Sequence, residues 1–539
     1  MRQDFFPQIP LEALLAALQS TTDDETRFSI LLQLGVVADP RAVEPLTGVL
    51  EDENSLIRAG AAWALGQIGH PNAISALIKA LEDDSEDVQE AVTTALAKIG
   101  EPAIGALISG LSTSNWYVRA NVAAVLGEIA TVNCVDALLL ALKDSSPYTR
   151  AGAADALGVI GDARTVPAML KALEDDNPDV RGRTAQALGF AAQQPDVIDA
   201  LLVTAQDELP VVKIGAILSL AIAHDERAEP VVLDALMHED ATVVATSCLA
   251  LQWMDPIPDA VPLLLTLLGH PDEWVRHNAI QTLGTYADEQ AVPALLGCLK
   301  TEDVPELLEA IVIALGASGS KDAKPPLKRY LKKADPELTV LIHGALLQLG
   351  DDKALSDLTE AIRSTEPSIR SQAVWALEQT KDPRAVKPLI GALLDNEPDI
   401  RADAAGALGI LKAESAVSAL INLVKNDEVP DVRQEATIAL SQIGDKRCIP
   451  TLVHALQHDD NAAVRAEVAY ALEVFAEERA YKPLMMALLD VDPLVREAAA
   501  YTLGVLHYVE AQQSLKALLS DSFVRVREAA TKALDQLET

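Results

Sequence analysis

Residues 54–69 read NSLIRAGAAWALGQIG. The pattern returns as PYTRAGAADALGVIG at 147–161, PDVRGRTAQALG at 178–189, PDIRADAAGALG at 398–409 and PLVREAAAYTLG at 493–504. Self-similarity of this kind outranks other signals, because it marks one structural unit copied many times. Aligned on the arginine, the copies place Arg27, Arg58, Gln89, Arg119, Arg150, Arg181, Lys213, Val244 and Arg276 at one position. The series continues through Leu308, Thr339, Arg370, Arg401, Arg433, Arg465, Arg496 and Arg527. About 17 units, spaced about 31 residues apart, account for nearly the whole chain.

Each unit reads as two helices. The first is RAVEPLTGVL at 41–50, RTVPAMLKAL at 164–173, RAVKPLIGAL at 384–393 and RCIPTLVHAL at 447–456. An acid such as Asp162 or Asp382 precedes it and is placed to cap its N-terminus. Proline recurs in its first turn (Pro45, Pro167, Pro262, Pro293, Pro388, Pro450), where a missing N–H costs little. A short acidic turn follows, such as EDDSED at 82–87 or EDDNPD at 174–179. The second helix then usually ends at glycine, as at Gly69, Gly100, Gly161 and Gly444.

In the copy at 54–69, Ile57, Ala61, Leu65 and Ile68 recur at helical spacing and predict a buried stripe. Ala62 and Ala64 flank it and are small enough for neighbouring helices to approach closely. Counting the arginine as position zero, positions +1, +5 and +9 lie on another stripe, whose chemistry varies from copy to copy. One helix pair cannot bury both its faces, whereas stacked pairs share a continuous core. One array over 1–539 is therefore expected, with capping units at 1–36 and 510–539. The segment 10–19 reads as the first helix of unit one, and Arg525, Glu528, Lys532 and Asp535 give the last helix a polar face.

Composition narrows the function. The 539 residues carry 43 Lys plus Arg against 80 Asp plus Glu, a formal charge of −37. Such a chain lacks the basic footprint that phosphate backbones require, so a nucleic-acid partner is not expected. Half the residues are hydrophobic, too many for a disordered acidic chain. No apolar run is long enough to span a bilayer, and MRQDFFPQIP at the start does not read as a secretion signal. Cys134, Cys248, Cys298 and Cys448 are scattered, without zinc spacing. Buried thiols in a reducing, cytoplasmic setting are expected. No cofactor or metal is implied. His454 and His458 stand at i, i+4, but no second ligand pair matches them. There is no P-loop or GxSxG signature.

The pattern D-x-R-A-V-x-P-L…V-R-x-x-A-A-x-A-L-G-x-I-G resembles the HEAT-like repeat of the phycobilisome-lyase type. That resemblance implies an all-α fold, a right-handed α-solenoid (an armadillo-like superhelix) whose second helices line the concave side. It also implies that the repeated arginine pairs with a carboxylate in or beside the acidic turn. A structural ladder of Arg58, Arg119, Arg150, Arg181, Arg276, Arg370, Arg401, Arg433, Arg465, Arg496 and Arg527 would result. Deoxyhypusine hydroxylases resemble the repeat as well, but they carry paired His-Glu motifs for a di-iron centre. Here His277 is followed by Asn278, and His238-Glu239 falls at a helix end. HEAT-like DNA glycosylases hold DNA in a basic concavity, which the negative charge opposes.

The ladder position changes to Lys213, Val244, Leu308 and Thr339 in the middle of the chain. There the variable stripe becomes apolar, with Ile214, Leu218 and Ile222, then Leu249 and Trp253, then Ile313. Apolar patches on soluble proteins mark partner sites. The candidate anchors are Ile214, Leu218, Leu249, Trp253 and Ile313, with Trp375, Tyr470 and Tyr501 as a second cluster. The function expected is a non-catalytic scaffold or assembly factor that binds a protein partner, one with a basic surface where the acidic turns take part. The alternative carried by the resemblance is a bilin lyase or lyase-isomerase acting on phycobiliproteins.

Overall fold

Why each copy starts and stops where it does is visible in its hydrogen bonds. We analysed a computed structural model that describes residues 10–521 and 523–538. The first nine residues, on which the secretion reading and part of the N-terminal capping unit rest, lie outside the described residues. Asp39, Asp162, Asp382 and Asp445 each accept the amide of the residue two positions on. Each opens a single 3₁₀ turn, such as Pro40–Ala42, that runs into an α-helix, such as Val43–Val49. The second helix of that unit, Ser55–Ile68, starts at Asn54, whose side chain accepts the Leu56 amide at 2.9 Å. Among the described residues all regular structure is helical, and the chain is an α-solenoid of two-helix units.

Glycine is not the general stop that the pattern predicts. Helices end in the left-handed region at Gly69, Gly161 and Gly444, but also at Ala38, Ala130, Ala287 and Lys381. A single L-residue tolerates this conformation at a cost of about 1–2 kcal/mol, which a well-packed unit absorbs. Ala287 (φ 50°) is therefore an improvable position. We expect Ala287→Gly to stabilise by about 0.5–1 kcal/mol, net of the extra freedom glycine has when unfolded. A higher urea midpoint would show it, and a lower one would refute it.

The core runs between successive second helices. Ile57, Ala61, Ala62, Ala64 and Leu65 are fully buried, and Ile68 is half-buried. The glycine eight residues after the repeated arginine has a second role, which its usual place near the helix end concealed. A Cβ on Gly66 would lie 2.7 Å from the Ala95 Cα, and one on Gly127 would lie 2.9 Å from the Ala156 Cα. The same pairing joins Gly158 to Ala187, Gly409 to Ala439 and Gly504 to Ala533. Glycine on one helix and alanine six residues after the next arginine thus let two backbones touch.

The chain divides into two compact units, one ending at Leu263 and the other starting at Leu264. The boundary falls inside the helix Ala260–Leu267. In the last helix, Val524–Glu538, Arg525, Glu528, Lys532 and Asp535 are exposed, whereas Val526, Ala530 and Ala533 are buried. No described helix is long and apolar enough to cross a membrane.

Candidate functional site

The repeated arginine fixes the frame on which any site must sit. Arg119 donates through Nε and Nη2 to both carboxylate oxygens of Asp144, each at 2.7 Å. Its Nη1 donates to the carbonyls of Thr113 and Ser114, at 2.8 and 3.1 Å. One guanidinium therefore clamps the turn of its own unit to the turn of the next, a fork geometry that lysine cannot supply. In the N-terminal unit Arg58 pairs in this way with Asp83, Arg150 with Asp175 and Arg181 with Asp207. In the C-terminal unit the pairs are Arg276–Glu302, Arg370–Asp395, Arg401–Asp427, Arg433–Asp459, Arg465–Asp490 and Arg496–Asp521. Arg527 donates to the Asp521 carbonyl at 2.8 Å. Hydrogen bonds from the arginines hold the carboxyls of Asp83, Asp144, Asp175 and Asp395 below the usual range. Part of the acidity of the turns is thus structural, while a following acid such as Asp84 stays exposed.

Where arginine is absent, other groups fill the space. Val244 is buried. Lys213 donates to the Ala205 carbonyl at 3.3 Å. Gln89 donates to the Asp83 carbonyl at 2.6 Å and accepts from the Tyr117 hydroxyl.

The apolar candidates differ in what they present. In the N-terminal unit Ile214, Leu218 and Leu249 are half-buried and Ala245 is buried. Ile222 and Trp253 are left as the exposed members, Trp253 at 46%. In the C-terminal unit Ile313, Trp375, Tyr470 and Tyr501 are all exposed. The structure brings Tyr470 and Tyr501 together edge to face, 5.6 Å between ring centroids. Trp375 instead walls a groove of about 440 Å³ with Glu337, Gln372, Glu378 and Asp403.

The +1, +5 and +9 spacing overlooks further aromatics in the first turn of the second helices. Trp116 stacks on Tyr148 at 4.8 Å, and Trp274 on His277 at 5.8 Å. Trp116, Tyr148 and Trp274 are exposed. Their signal was present as a large ring two or three residues before the arginine.

Carboxylates follow the same face. Asp403, Glu435 and Glu467 each stand two residues after a ladder arginine. Burial pushes their carboxyls up, as it does that of Glu378, and for Glu435 the nearby Glu467, Asp403 and Glu378 add to it. In the N-terminal unit the half-buried Asp155, five residues after Arg150, has its own cation, Arg183, at 2.5 Å.

Reactive chemistry is sparse. All four cysteines are free, and burial pushes the Cys248 and Cys448 thiols up to about 12. His454 and His458 lie 4.7 Å apart in a groove that also contains Arg433 and Asp459, both engaged in the ladder. His238 accepts the Asp240 amide at its Nδ1. Among the described residues no group of three or more His, Cys, Asp or Glu side chains is placed to hold a metal.

Comparison with known proteins accords with this geometry. No curated protein matches the chain. Among solved structures it is similar to Kap121p bound to Pho4p, at 14% identity and a TM-score of 0.54, covering 99% of this chain and 75% of that one. It is also similar to the Kap95:Nup1 complex, at 12% identity and a TM-score of 0.53, covering 99% and 90%. At that identity the likeness is one of fold. A family model described as HEAT repeats matches in overlapping stretches from residues 11–97 through to 449–535. The chain belongs to the HEAT-repeat proteins.

Proposed function

We propose that this protein is a non-catalytic scaffold that binds a protein partner along the exposed face of its second helices. The observation that carries this reading is an arginine ladder in each unit that leaves large side chains standing in solvent, Trp253 in the N-terminal unit and Trp375 and the Tyr470–Tyr501 pair in the C-terminal unit. Rigid aromatics of this kind supply contact area at little entropic cost and are favoured as interface anchors. Similar solenoids hold other proteins, as in Kap121p bound to Pho4p, which supports the reading without fixing the partner. The four free cysteines fit a reducing compartment, and we place the protein in the cytoplasm.

The test uses the full chain as bait. A partner recovered on it is measured against Leu249→Asp/Trp253→Ala and Tyr470→Ala/Tyr501→Ala, each checked for an intact helical spectrum. Loss of at least about tenfold in affinity for one pair is expected. Unchanged affinity in both would remove the face from the interface. The narrower relation, to phycobilisome-lyase-type repeats, rests on the sequence motif. Co-expression with a bilin and an apo-phycobiliprotein, read by visible absorbance, tests the transfer activity it would imply.

A further inference from the structure

We infer that the second-helix face of the C-terminal unit, from the Trp375 groove to Glu467, takes an extended peptide segment carrying lysine or arginine at about every third residue. This deepens the scaffold reading and rests on it.

Four carboxylates line this face: Glu378, Asp403, Glu435 and Glu467. Among the described residues none of them pairs with a lysine or arginine. Glu378 accepts from the Gln379 side chain at 3.4 Å, and Glu467 has a hydrogen bond with Gln434. In the N-terminal unit the chain supplies Arg183 to the half-buried Asp155, and along the ladder it supplies arginines to the acids of the turns. Here it leaves neighbouring negative charges that repel one another.

The groove at the start of the face has a second mark. Gln372 lines it, and its side-chain oxygen is buried with no hydrogen-bond donor. The wall also carries the carboxylates of Glu337, Glu378 and Asp403, acceptors when ionised, and the hydroxyls of Ser368 and Ser371, neither of which donates to that oxygen. A buried acceptor without a partner is costly, and a donor from outside would satisfy it. Trp375 forms the apolar wall, suited to the stem and charge of a lysine or arginine. The groove also falls where the close helix contact is lost, because Glu378 occupies the position that glycine holds at Gly409 and Gly504.

The spacing selects an extended chain. Asp403, Glu435 and Glu467 occupy the same position on the consecutive second helices Pro398–Ile410, Pro430–Ile443 and Ala462–Glu473. Packed helices lie roughly 10 Å apart, so the acids form rungs at about that interval. A peptide in the extended polyproline II conformation advances about 3.1 Å per residue with three residues per turn, so every third side chain faces the same way and one cation per three residues meets one rung. From Trp375 to Glu467 the run is on the order of 30 Å, or roughly nine residues.

The test is fluorescence anisotropy with the full chain and a labelled peptide of about 12 residues, bearing lysine or arginine at every third position with glycine and serine between. Binding is expected, weakening at least about tenfold between roughly 50 and 200 mM salt. Glu435→Gln/Glu467→Gln and Trp375→Ala should each weaken it by about tenfold with an unchanged helical spectrum. Asp155→Asn in the N-terminal unit should leave it unchanged. Equal binding by the double glutamine variant would overturn the inference. So would equal affinity for a peptide with its cations clustered at one end, or for spermine, since a diffuse negative field would then suffice. If the peptide fails while a protein partner is still held by the full chain, the inference falls and the scaffold reading stands. If no protein is held, the scaffold reading falls as well.

Discussion

Gly158→Leu should destabilise the N-terminal unit by about 3 kcal/mol, at the upper end of overpacking costs. A Cβ at Gly158 would lie 2.8 Å from the Ala187 Cα and 2.9 Å from its carbonyl oxygen. Those atoms are backbone, so no side-chain rotation relieves the clash. The helices Pro147–Ile160 and Pro178–Ala187 must separate instead, and the apolar contacts between them weaken together. Gly→Ala makes the argument sharper, because two effects oppose each other. Alanine is the better helix former by about 1 kcal/mol. At Gly297, in Val292–Thr301, a Cβ meets nothing within 4 Å, so Gly297→Ala should stabilise by about that amount. At Gly158 the clash outweighs the propensity, and Gly158→Ala should destabilise. Urea unfolding of both alanine variants checks the opposite signs, and two shifts of the same sign would contradict the account.

This contrast also explains what was legible in the sequence. The fold follows from periodicity alone, since Ile57, Ala61, Leu65 and Ile68 share one face on a helix but not on a strand, where Ile68 would point the other way, and repetition then requires stacking. The capping role of Asp162 and Asp382 was equally readable, because capping is local. Long-range relations were less so. Gly66 and Gly158 look like helix ends when a unit is read alone, and their contacts with Ala95 and Ala187 arise only across units. The apolar patch expected from Ile214, Leu218 and Leu249 is half covered, because period marks a face without saying how far neighbours cover it. The unpaired acids Asp403, Glu435 and Glu467 were hidden by the overall charge. Only the structure separates them from Asp83 or Asp395, whose negative charge an arginine already meets.

Arg433→Met should destabilise the C-terminal unit by about 3–4 kcal/mol, within the range for breaking a buried ion pair on one side. Arg433 binds both oxygens of Asp459 at 2.7–2.8 Å and reaches the carbonyls of Asp427 and Glu428. The two side chains are only 9% and 6% exposed, so solvent cannot replace what is lost. The cost comes chiefly from leaving Asp459 buried with its charge unmet. Removing both partners should therefore cost much less, and the chain contains that experiment already. Leu308 and Thr339 replace the arginine, and the positions 25 residues on, where Asp395 stands relative to Arg370, hold Lys333 and Ser364. Gln89 likewise has Ser114 there. Arginine and acid disappear together. Ser364 still accepts the Glu366 amide at 3.2 Å, as Asp459 accepts that of Asn461, so serine keeps the turn while giving up the charge. Arg433→Met/Asp459→Ser is accordingly expected to recover more than half of the loss. A double-mutant cycle on urea midpoints measures the coupling. Additive losses in the two single variants would mean that the guanidinium acts only through the carbonyls of its own turn. The ladder would then tie each unit internally, without joining it to the next.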